Sequence, residues 1–267
     1  MAEHLDIIIP NTSDEGIVIE DKPLSTYYST LPKESNLKKI LEDTFVINEP
    51  LEEVGGDCYW VYEFENMVFI SVFDCMGHGK SANVMTKAYI QALNNVIVVD
   101  KVHTPDKILL DVHLEIKKKF ADNKELIVGC AADIAVLRID FNGVNRTLHY
   151  AGAKTALVHN LNGDIDRIKG DRIQVGDLFD FDRTYTSHSM KLPVDKKAVL
   201  FLFSDGVTDL VGGVRNKKLG YANLQELLER VKDEPFETQK KQLKKYFKLW
   251  SGPNKPVDDL LFTGLKI

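Results

Sequence analysis

The chain has no long hydrophobic run and no N-terminal basic region followed by a hydrophobic core. None of its apolar segments approaches the ~20 residues needed to span a bilayer. We therefore expect neither direct membrane insertion nor secretion. The prediction is a cytoplasmic location, and the sequence leaves open that this is the cytoplasmic domain of a longer membrane sensor.

Cysteines are few and basic residues are not in excess. Cys58, Cys75 and Cys130 are odd in number and include no closely spaced pair, which excludes a Cys-based metal motif and predicts reduced thiols. The formal net charge of -6 argues against nucleic acid as a partner, because phosphates repel an acidic surface. The sequence also contains no P-loop for a nucleotide.

The composition is that of an ordinary globular enzyme. Of the 267 residues, 44% are hydrophobic and 28% are charged, and we see neither an internal repeat nor a low-complexity linker. Residues 1–35 combine a short β-like run with a polar stretch, so they are predicted to form an N-terminal arm or extra strand. Residues 36–267 are predicted to form one domain.

Four short acidic motifs are the most informative feature that is present. They are Gly55-Gly56-Asp57, Asp74-Cys75-Met76-Gly77-His78-Gly79, Ser204-Asp205-Gly206 and Val257-Asp258-Asp259. Each motif lies beside a segment that is typical of a β-strand. Together they offer only oxygen ligands, which is the chemistry that Mg²⁺ and Mn²⁺ prefer. The sequence therefore predicts a carboxylate metal site.

The first two acids are predicted to meet at one edge of a sheet. Residues 58–64 and 67–73 are rich in aromatic and β-branched residues and are separated by Glu65-Asn66, which indicates a hairpin. Asp57 and Asp74 then fall at the open ends of its two strands. Two helices follow Gly79, and Thr104-Pro105 is a plausible start for the second of them.

The remaining chain is predicted to be strand-rich and then helical. Strand signals occur at residues 134–139, 148–151, 156–158 and 165–168, and we interpret them as one antiparallel meander. Residues 198–203 form an apolar run that leads directly into Asp205, as expected for a buried strand that ends at a site. Two amphipathic helices and a C-terminal strand complete the pattern.

These motifs, in this order, resemble the metal-dependent PPM-type protein serine/threonine phosphatases, in the bacterial branch that includes SpoIIE and RsbU. The resemblance runs from about Asp43 to Ile267 and also rests on Tyr150-Ala151-Gly152-Ala153. It implies an α+β fold, a four-layer α-β-β-α sandwich with two central, mainly antiparallel sheets. Residues 36–267 would then be the phosphatase domain.

The resemblance also implies two metal ions, Mn²⁺ or Mg²⁺. Asp57 is then the bridging carboxylate, Asp74 and the backbone carbonyl of Cys75 are ligands of the first ion, and Asp205 and Asp258 are ligands from later strands. Asp57, Asp74 and Asp205 are accordingly the predicted catalytic residues. Asp259 is not expected to be a direct ligand.

Two positions near this ligand set depart from the family pattern or lie outside it. Other members of the family carry a further acid where this chain has Ala153, so a third metal site is not expected. Asp133 lies in a strand-like run, and we do not include it among the ligands.

Several residues near the motifs allow two interpretations. His78 is a candidate proton donor to the leaving oxygen, or it braces the turn between strand and helix. Lys80 and Lys154 are candidates for phosphate binding, or they are solvated surface lysines. The Cys75 thiol is either a redox sensor beside the metal site or a small buried side chain.

The resulting functional hypothesis is the hydrolysis of phosphoserine or phosphothreonine by a water activated between two metal ions. The resemblance implies a regulatory phosphoprotein as substrate, such as an anti-sigma-factor antagonist in a bacterial partner-switching pathway. Two alternatives are a weakly active signalling module that binds a phosphoprotein and a phosphomonoesterase for small molecules. A homodimer is left open.

Overall fold

The structure is a computed structural model that describes residues 34–41, 43–53, 55–76, 80–122, 129–179, 182–194 and 198–267. The arm predicted for residues 1–35 lies almost entirely outside the described residues. Only Glu34 and Ser35 of that segment are described, and they begin a helix. No described helix combines the length and the apolar character that a membrane span requires.

Strands and helices follow one another in the predicted order, and the labels below number the described elements. The strands are β1 Asp43–Glu49, β2 Asp57–Phe64, β3 Met67–Cys75, β4 Ala132–Asn142, β5 Asn145–Ala153, β6 Leu157–Asn160, β7 Ile165–Ile168, β8 His188–Lys191, β9 Val199–Phe203, β10 Val211–Gly212, β11 Lys217–Lys218 and β12 Leu260–Lys266. The helices are α1 Glu34–Ile40, α2 Lys80–Leu93, α3 Pro105–Phe120, α4 Asp205–Asp209, α5 Gly220–Val231 and α6 Phe236–Ser251, and a π-helical segment, Asn94–Val99, continues α2.

Ten of these strands form two five-stranded sheets. The first sheet has the order β1-β12-β9-β6-β7 and the second has the order β2-β3-β4-β5-β8. Every neighbouring pair in both sheets is antiparallel. The predicted hairpin is confirmed, because Phe64 pairs with Met67 across the Glu65-Asn66 turn.

Three separate apolar clusters show how the layers stack. One cluster fills the space between the sheets, where Tyr59 and Val72 of the second sheet meet Leu202 of the first. A second cluster packs α2 and α3 on the outer face of the second sheet, and a third packs α5 and α6 on the outer face of the first. The predicted four-layer α-β-β-α sandwich is therefore confirmed.

Two local predictions differ from the structure. The strand signals between residues 134 and 168 do not form one meander, because β4 and β5 belong to the second sheet whereas β6 and β7 belong to the first. The chain leaves β5 through Lys154, whose φ of 58° turns the backbone away from the strand direction. Thr104 does occupy the N-cap position of α3, but its side chain makes no capping hydrogen bond.

Gly264 in β12 lies opposite Phe45 on one neighbouring strand and Phe201 on the other. A Cβ atom at this position would overlap the Phe45 ring, which is fully buried. We expect Gly264→Ala to lower the free energy of unfolding by about 1–3 kcal/mol, the usual cost of overpacking a core. Urea denaturation would measure the change.

Gly129→Ala is the matched control for this prediction. A Cβ atom at Gly129 would meet nothing within 4 Å. We expect a change within about 0.5 kcal/mol for this variant. Equal effects of the two substitutions would show that the close approach of Phe45 to β12 does not limit stability.

Candidate metal centre

The acids of the first two motifs occupy one row across the end of the second sheet. Asp57 on β2 pairs with Asp74 on β3, and Asp74 in turn pairs with Asp133 on β4. Side chains that lie directly opposite each other on antiparallel strands share one face of the sheet, with Cβ atoms about 5 Å apart. Three carboxylates from three strands therefore lie side by side.

The row points into the space between the two sheets. Side chains alternate between the faces of a strand, and Asp57, Asp74 and Asp133 are each two residues from a member of the apolar cluster between the sheets. The first sheet delivers Ser204 and Asp259 to the same end, two residues beyond Leu202 and two residues before Leu261. The acids therefore lie where the apolar layer between the sheets stops.

Asp57 is the most buried acid of the group. Only 3% of its surface is exposed, and its Oδ2 atom accepts a 2.5 Å hydrogen bond from the Ser204 hydroxyl. Ser204 Oγ also accepts a hydrogen bond from the backbone N–H of Leu261, at 3.1 Å. The Oδ1 atom of Asp57 is buried without a hydrogen-bond partner among the described residues. One oxygen of this carboxylate is therefore fixed and the other is available to a ligand.

Asp259 has a different environment from its neighbour Asp258. The Asp259 carboxylate is buried and accepts 2.6 Å hydrogen bonds from the backbone N–H groups of Leu51 and Gly56. A Cβ atom at Gly55 would lie 2.8 Å from this carboxylate, so the glycine makes room for it. Asp259 therefore holds the turn that precedes Asp57, whereas the exposed Asp258 is free of that task.

Asp205 joins the two halves of the site. It is the first residue of α4, is exposed, and follows β9 directly after Ser204. Its carboxyl hydrogen-bonds the Asp74 carboxyl and repels the negative charge of Asp57, Asp133 and Asp258. The acid from the first sheet is therefore within interaction range of the whole row on the second sheet.

Burial and mutual repulsion raise the pKa values of these carboxyls. Burial is the largest cause for Asp74, followed by the charges of Asp57, Asp205 and Asp258, and together they raise its pKa to about 10. Burial also raises the pKa of Asp57 well above its usual range, against the opposing effect of the Ser204 hydrogen bond. Burial is also the largest cause of the raised pKa values of Asp133 and Asp258. The cluster is thus unfavourable as a set of anions without cations.

The donor set fits a hard divalent cation. It consists of carboxylate oxygens, includes the unpartnered Oδ1 of Asp57, and carries more negative charge than the protein itself compensates. Within the described ranges, no three His, Cys, Asp or Glu side chains are arranged as a ready-made cage for one ion. This is compatible with Mg²⁺ or Mn²⁺, which retain several waters and take few protein ligands each.

The structure thus brings together Asp57, Asp74, Asp205 and Asp258 among the predicted site residues. Cys75 ends β3 beside them, and its backbone N–H donates a 3.2 Å hydrogen bond to the Gly56 carbonyl. The Cys75 thiol is buried, and burial together with the Asp74 charge raises its pKa well above the usual range. His78 and the side chain of Lys80 lie outside the described residues.

Sequence reasoning missed three contributors to the site. Asp133 extends the acid row, although it was not included among the predicted ligands. Gln174, on the connection between β7 and β8, donates a 2.7 Å hydrogen bond to Asp133. Ser204 was noted only as a neighbour of Asp205, yet its hydroxyl holds Asp57. For Asp133 the available signal was a carboxylate at the start of an otherwise apolar strand.

Comparisons with known proteins agree with this geometry. The family model for stage II sporulation protein E (SpoIIE) matches residues 65–267, about three quarters of the chain. The chain therefore belongs to the SpoIIE family. Comparison with curated protein sequences gives no match.

Solved structures with the same fold include phosphatase domains. The SiaA-PP2C domain of Pseudomonas aeruginosa is 23% identical, with a TM-score of 0.80, and the match covers 91% of this chain and 94% of that chain. The RsbU and RsbW domains of Rv1364c from Mycobacterium tuberculosis are 16% identical, with a TM-score of 0.63 and coverage of 84% and 59%. RsbX in complex with magnesium is 14% identical, with a TM-score of 0.54 and coverage of 84% and 94%.

These findings define the class of the protein. The fold is that of the PP2C-type phosphatases, and the family is SpoIIE. The predicted resemblance to the SpoIIE/RsbU branch is confirmed. The prediction of a protein serine/threonine phosphatase is confirmed at the level of family and fold.

The raised carboxyl pKa values predict how stability depends on pH when metal is removed by a chelator. A carboxyl whose pKa is higher in the folded protein favours folding while both states are protonated, below about pH 4. The stability is then lost as the pH rises toward the folded pKa of Asp74, about 10. We expect the midpoint of thermal unfolding to fall between pH 5 and pH 8, by on the order of 5 °C.

Asp74→Asn is the comparison for this experiment, because the amide does not titrate. Its unfolding midpoint should decline less between the two pH values, and added Mg²⁺ should reduce the decline of the original protein. If the unfolding midpoints of both proteins decline equally with pH, Asp74 is not the source of the pH-dependent destabilisation.

Proposed function

We propose that the chain hydrolyses phosphoserine or phosphothreonine in a regulatory phosphoprotein and does so with two Mg²⁺ or Mn²⁺ ions. The observation that carries the proposal is the buried Asp57, whose Oδ1 atom has no partner among the described residues and which adjoins Asp74 and Asp205. A carboxylate oxygen is costly to bury without a partner, so this placement requires a compensating ligand.

The residues proposed to hold the ions are those implied by the family resemblance. They are Asp57, Asp74, the backbone carbonyl of Cys75, Asp205 and Asp258. When bound, two divalent ions neutralise the phosphate and lower the pKa of a water molecule so that it can act as nucleophile. The magnesium in the RsbX structure supports the choice of a hard cation.

The chain contributes positioning and charge to this reaction. Hydrolysis forms a bond from water oxygen to phosphorus and breaks the bond from phosphorus to the seryl or threonyl oxygen. One proton leaves the water and one must reach the leaving oxygen. Ser204 keeps Asp57 in place, while Asp74 and Asp205, which lie close enough to share a hydrogen bond, set the local charge. His78 stays the candidate donor for the leaving oxygen.

A protein substrate suits the exposure of the site. Asp205 and Asp258 are both exposed, so this part of the described site reaches the surface. An open site of this kind accepts a phosphorylated side chain on a folded or extended partner. This favours a phosphoprotein over a small phosphomonoester.

Membership of the SpoIIE family suggests the class of partner. A similar solved structure contains RsbU and RsbW domains in one chain, which supports a role for such phosphatase domains in partner switching. We therefore propose an anti-sigma-factor antagonist, or a protein of similar role, as the substrate. Comparing phosphoproteins in cells that carry the active enzyme or its Asp205→Asn variant would identify it.

The proposed chemistry predicts dependence on metal and independence of thiols. Hydrolysis of a phosphoserine peptide should require Mg²⁺ or Mn²⁺ and should stop in excess chelator. Cys75→Ser and treatment with iodoacetamide should change the rate less than about twofold, because all three thiols are buried and burial raises their pKa values. Steady-state rates would measure both effects, and turnover that persists in chelator would exclude the mechanism.

Asp205→Asn should lower the rate by at least about a hundredfold and weaken Mg²⁺ binding, because it removes a charged ligand from the junction of the two sheets. Glu226→Gln is the control, since Glu226 is an exposed acid of α5 that pairs with the exposed Arg230. Kinetics and metal titration calorimetry would separate the two. Unchanged metal affinity in Asp205→Asn would remove this residue from the ligand set.

A further inference from the structure

The row of acids at the end of the second sheet leads to a lysine. The last pair between β4 and β5 is Ile134 with Ala153, so the next residues in register are Asp133 and Lys154. The Nζ atom of Lys154 lies 4.0 Å from Oδ1 of Asp133. The ammonium group of Lys154 therefore lies beside the row of Asp57, Asp74 and Asp133, although Lys154 itself follows the end of β5.

The backbone of Lys154 is held firmly at this position. Its N–H donates a 2.6 Å hydrogen bond to the carbonyl of Asp171, and the Asp171 N–H donates to the Gly152 carbonyl at 2.7 Å. Its φ of 58° lies in the left-handed region, which a side chain with Cβ adopts only where the surroundings impose it. The start of the lysine side chain is thus fixed relative to the acids.

Residues 171–176, in the connection between β7 and β8, also fix Asp133. Val175 exchanges two backbone hydrogen bonds with Ala132, at 2.8 and 3.0 Å, and this places Gln174 above the end of β4. The Gln174 amide then donates to Asp133 Oδ1 at 2.7 Å. The neutral Gln174 amide therefore orients the Asp133 carboxylate. The negative charge of Asp133 attracts the Lys154 ammonium group, which lies beyond hydrogen-bond distance.

The lysine retains its capacity to bind an anion. A separation of 4.0 Å provides electrostatic attraction but no close hydrogen bond, so the three ammonium donors are not used up by Asp133. The side chain is 44% exposed, which lets it reach an incoming group. The charge of Asp205 also repels the charge of Asp133, so Lys154 lies close to the negative electrostatic field of the predicted metal ligands.

The charge balance calls for a further cation. The carboxylates that interact here include six, namely Asp57, Asp74, Asp133, Asp205, Asp258 and Asp259. Two divalent ions supply only four positive charges. A phosphate dianion would then approach a centre that is still negative. Glu52 and Glu53 precede the first motif, at positions where a basic residue would attract the phosphate, and they carry negative charge instead.

We propose that Lys154 binds a non-bridging oxygen of the substrate phosphate and that Asp133 is the residue that positions its ammonium group. The inference rests on the proposed function, because it assigns a phosphate-binding residue to the same site. Lys154 adds one positive charge to this acidic centre, so it lowers the repulsion that the phosphate dianion meets.

The test is the binding of inorganic phosphate to the Mg²⁺-loaded protein, measured by calorimetry, together with the kinetics of a phosphoserine peptide. Lys154→Met should weaken phosphate binding and raise KM by about ten- to a hundredfold, the usual effect of losing a charge-assisted hydrogen bond. It should change kcat by less than about threefold and leave Mg²⁺ affinity unchanged. Methionine keeps the Cβ atom, so the backbone at φ 58° is not altered.

Two further variants make the assignment specific. Lys154→Arg should recover at least part of the phosphate affinity, because it restores the positive charge. Lys191→Met is the matched control: Lys191 is an exposed lysine of the same sheet, opposite Thr147, which is six residues from Ala153 and thus about 20 Å away. It should leave phosphate binding and KM unchanged.

Asp133→Asn tests the positioning role. Its amide oxygen can still accept the hydrogen bond from Gln174, so we expect the midpoint of thermal unfolding to stay within about 2 °C. Phosphate binding should weaken several-fold while Mg²⁺ affinity is retained. Weaker Mg²⁺ binding in Asp133→Asn would make Asp133 a metal ligand and overturn its assigned role.

The outcomes distinguish this inference from the proposed function. If Lys154→Met binds phosphate as tightly as the original protein, the inference is wrong even when hydrolysis is metal-dependent. If the original protein binds phosphate through Lys154 but hydrolyses no phosphopeptide, the inference stands and the proposed activity fails.

Discussion

The site depends on one costly placement, the burial of the Asp57 carboxylate at the end of the apolar layer between the two sheets. A buried carboxylate without compensation either takes up a proton or requires a cation. The protein compensates one of its oxygens with the Ser204 hydroxyl and leaves the other without a partner among the described residues. Repulsion from the other acids increases the cost, and a bound divalent cation would relieve it.

The hydrogen bond between Ser204 and Asp57 also couples the two sheets. Asp57 begins β2 in the second sheet, whereas Ser204 follows β9 in the first and bonds the backbone of β12 as well. Asp259 forms a second link, from the start of β12 to the turn before β2. The two sheets therefore cannot slide past each other without breaking buried polar contacts. A displacement of about 1 Å at a reacting centre can cost on the order of a hundredfold in rate, so the proposed activity would depend on this registration.

Local sequence signals were sufficient to predict the elements whose geometry is set by a short turn. The short Glu65-Asn66 turn sets the register of β2 and β3, and with it the pairing of Asp57 with Asp74. The pairing of Asp74 with Asp133 was not predictable in this way, because two helices separate β3 from β4 and no turn sets their register. The division of the expected meander between two sheets was missed for a similar reason. The chain changes sheets just after Lys154, which has a left-handed conformation that a lysine rarely adopts and that no residue pattern predicts.

The connection of residues 169–187 extends the influence of the site to the outer helices. Gln174 contacts Asp133, and the residues next to Gln174 contact the helices on the outer face of the second sheet. The Tyr89 hydroxyl of α2 donates to the carbonyls of Cys130 and Val175. His113 Nδ1 of α3 accepts the Gly176 N–H at 3.0 Å. Asp57 is therefore positioned by the contact between the two sheets, whereas Asp133 is positioned by a segment that contacts α2 and α3. Under the proposed roles, phosphate binding and metal binding would have separate structural supports in this fold.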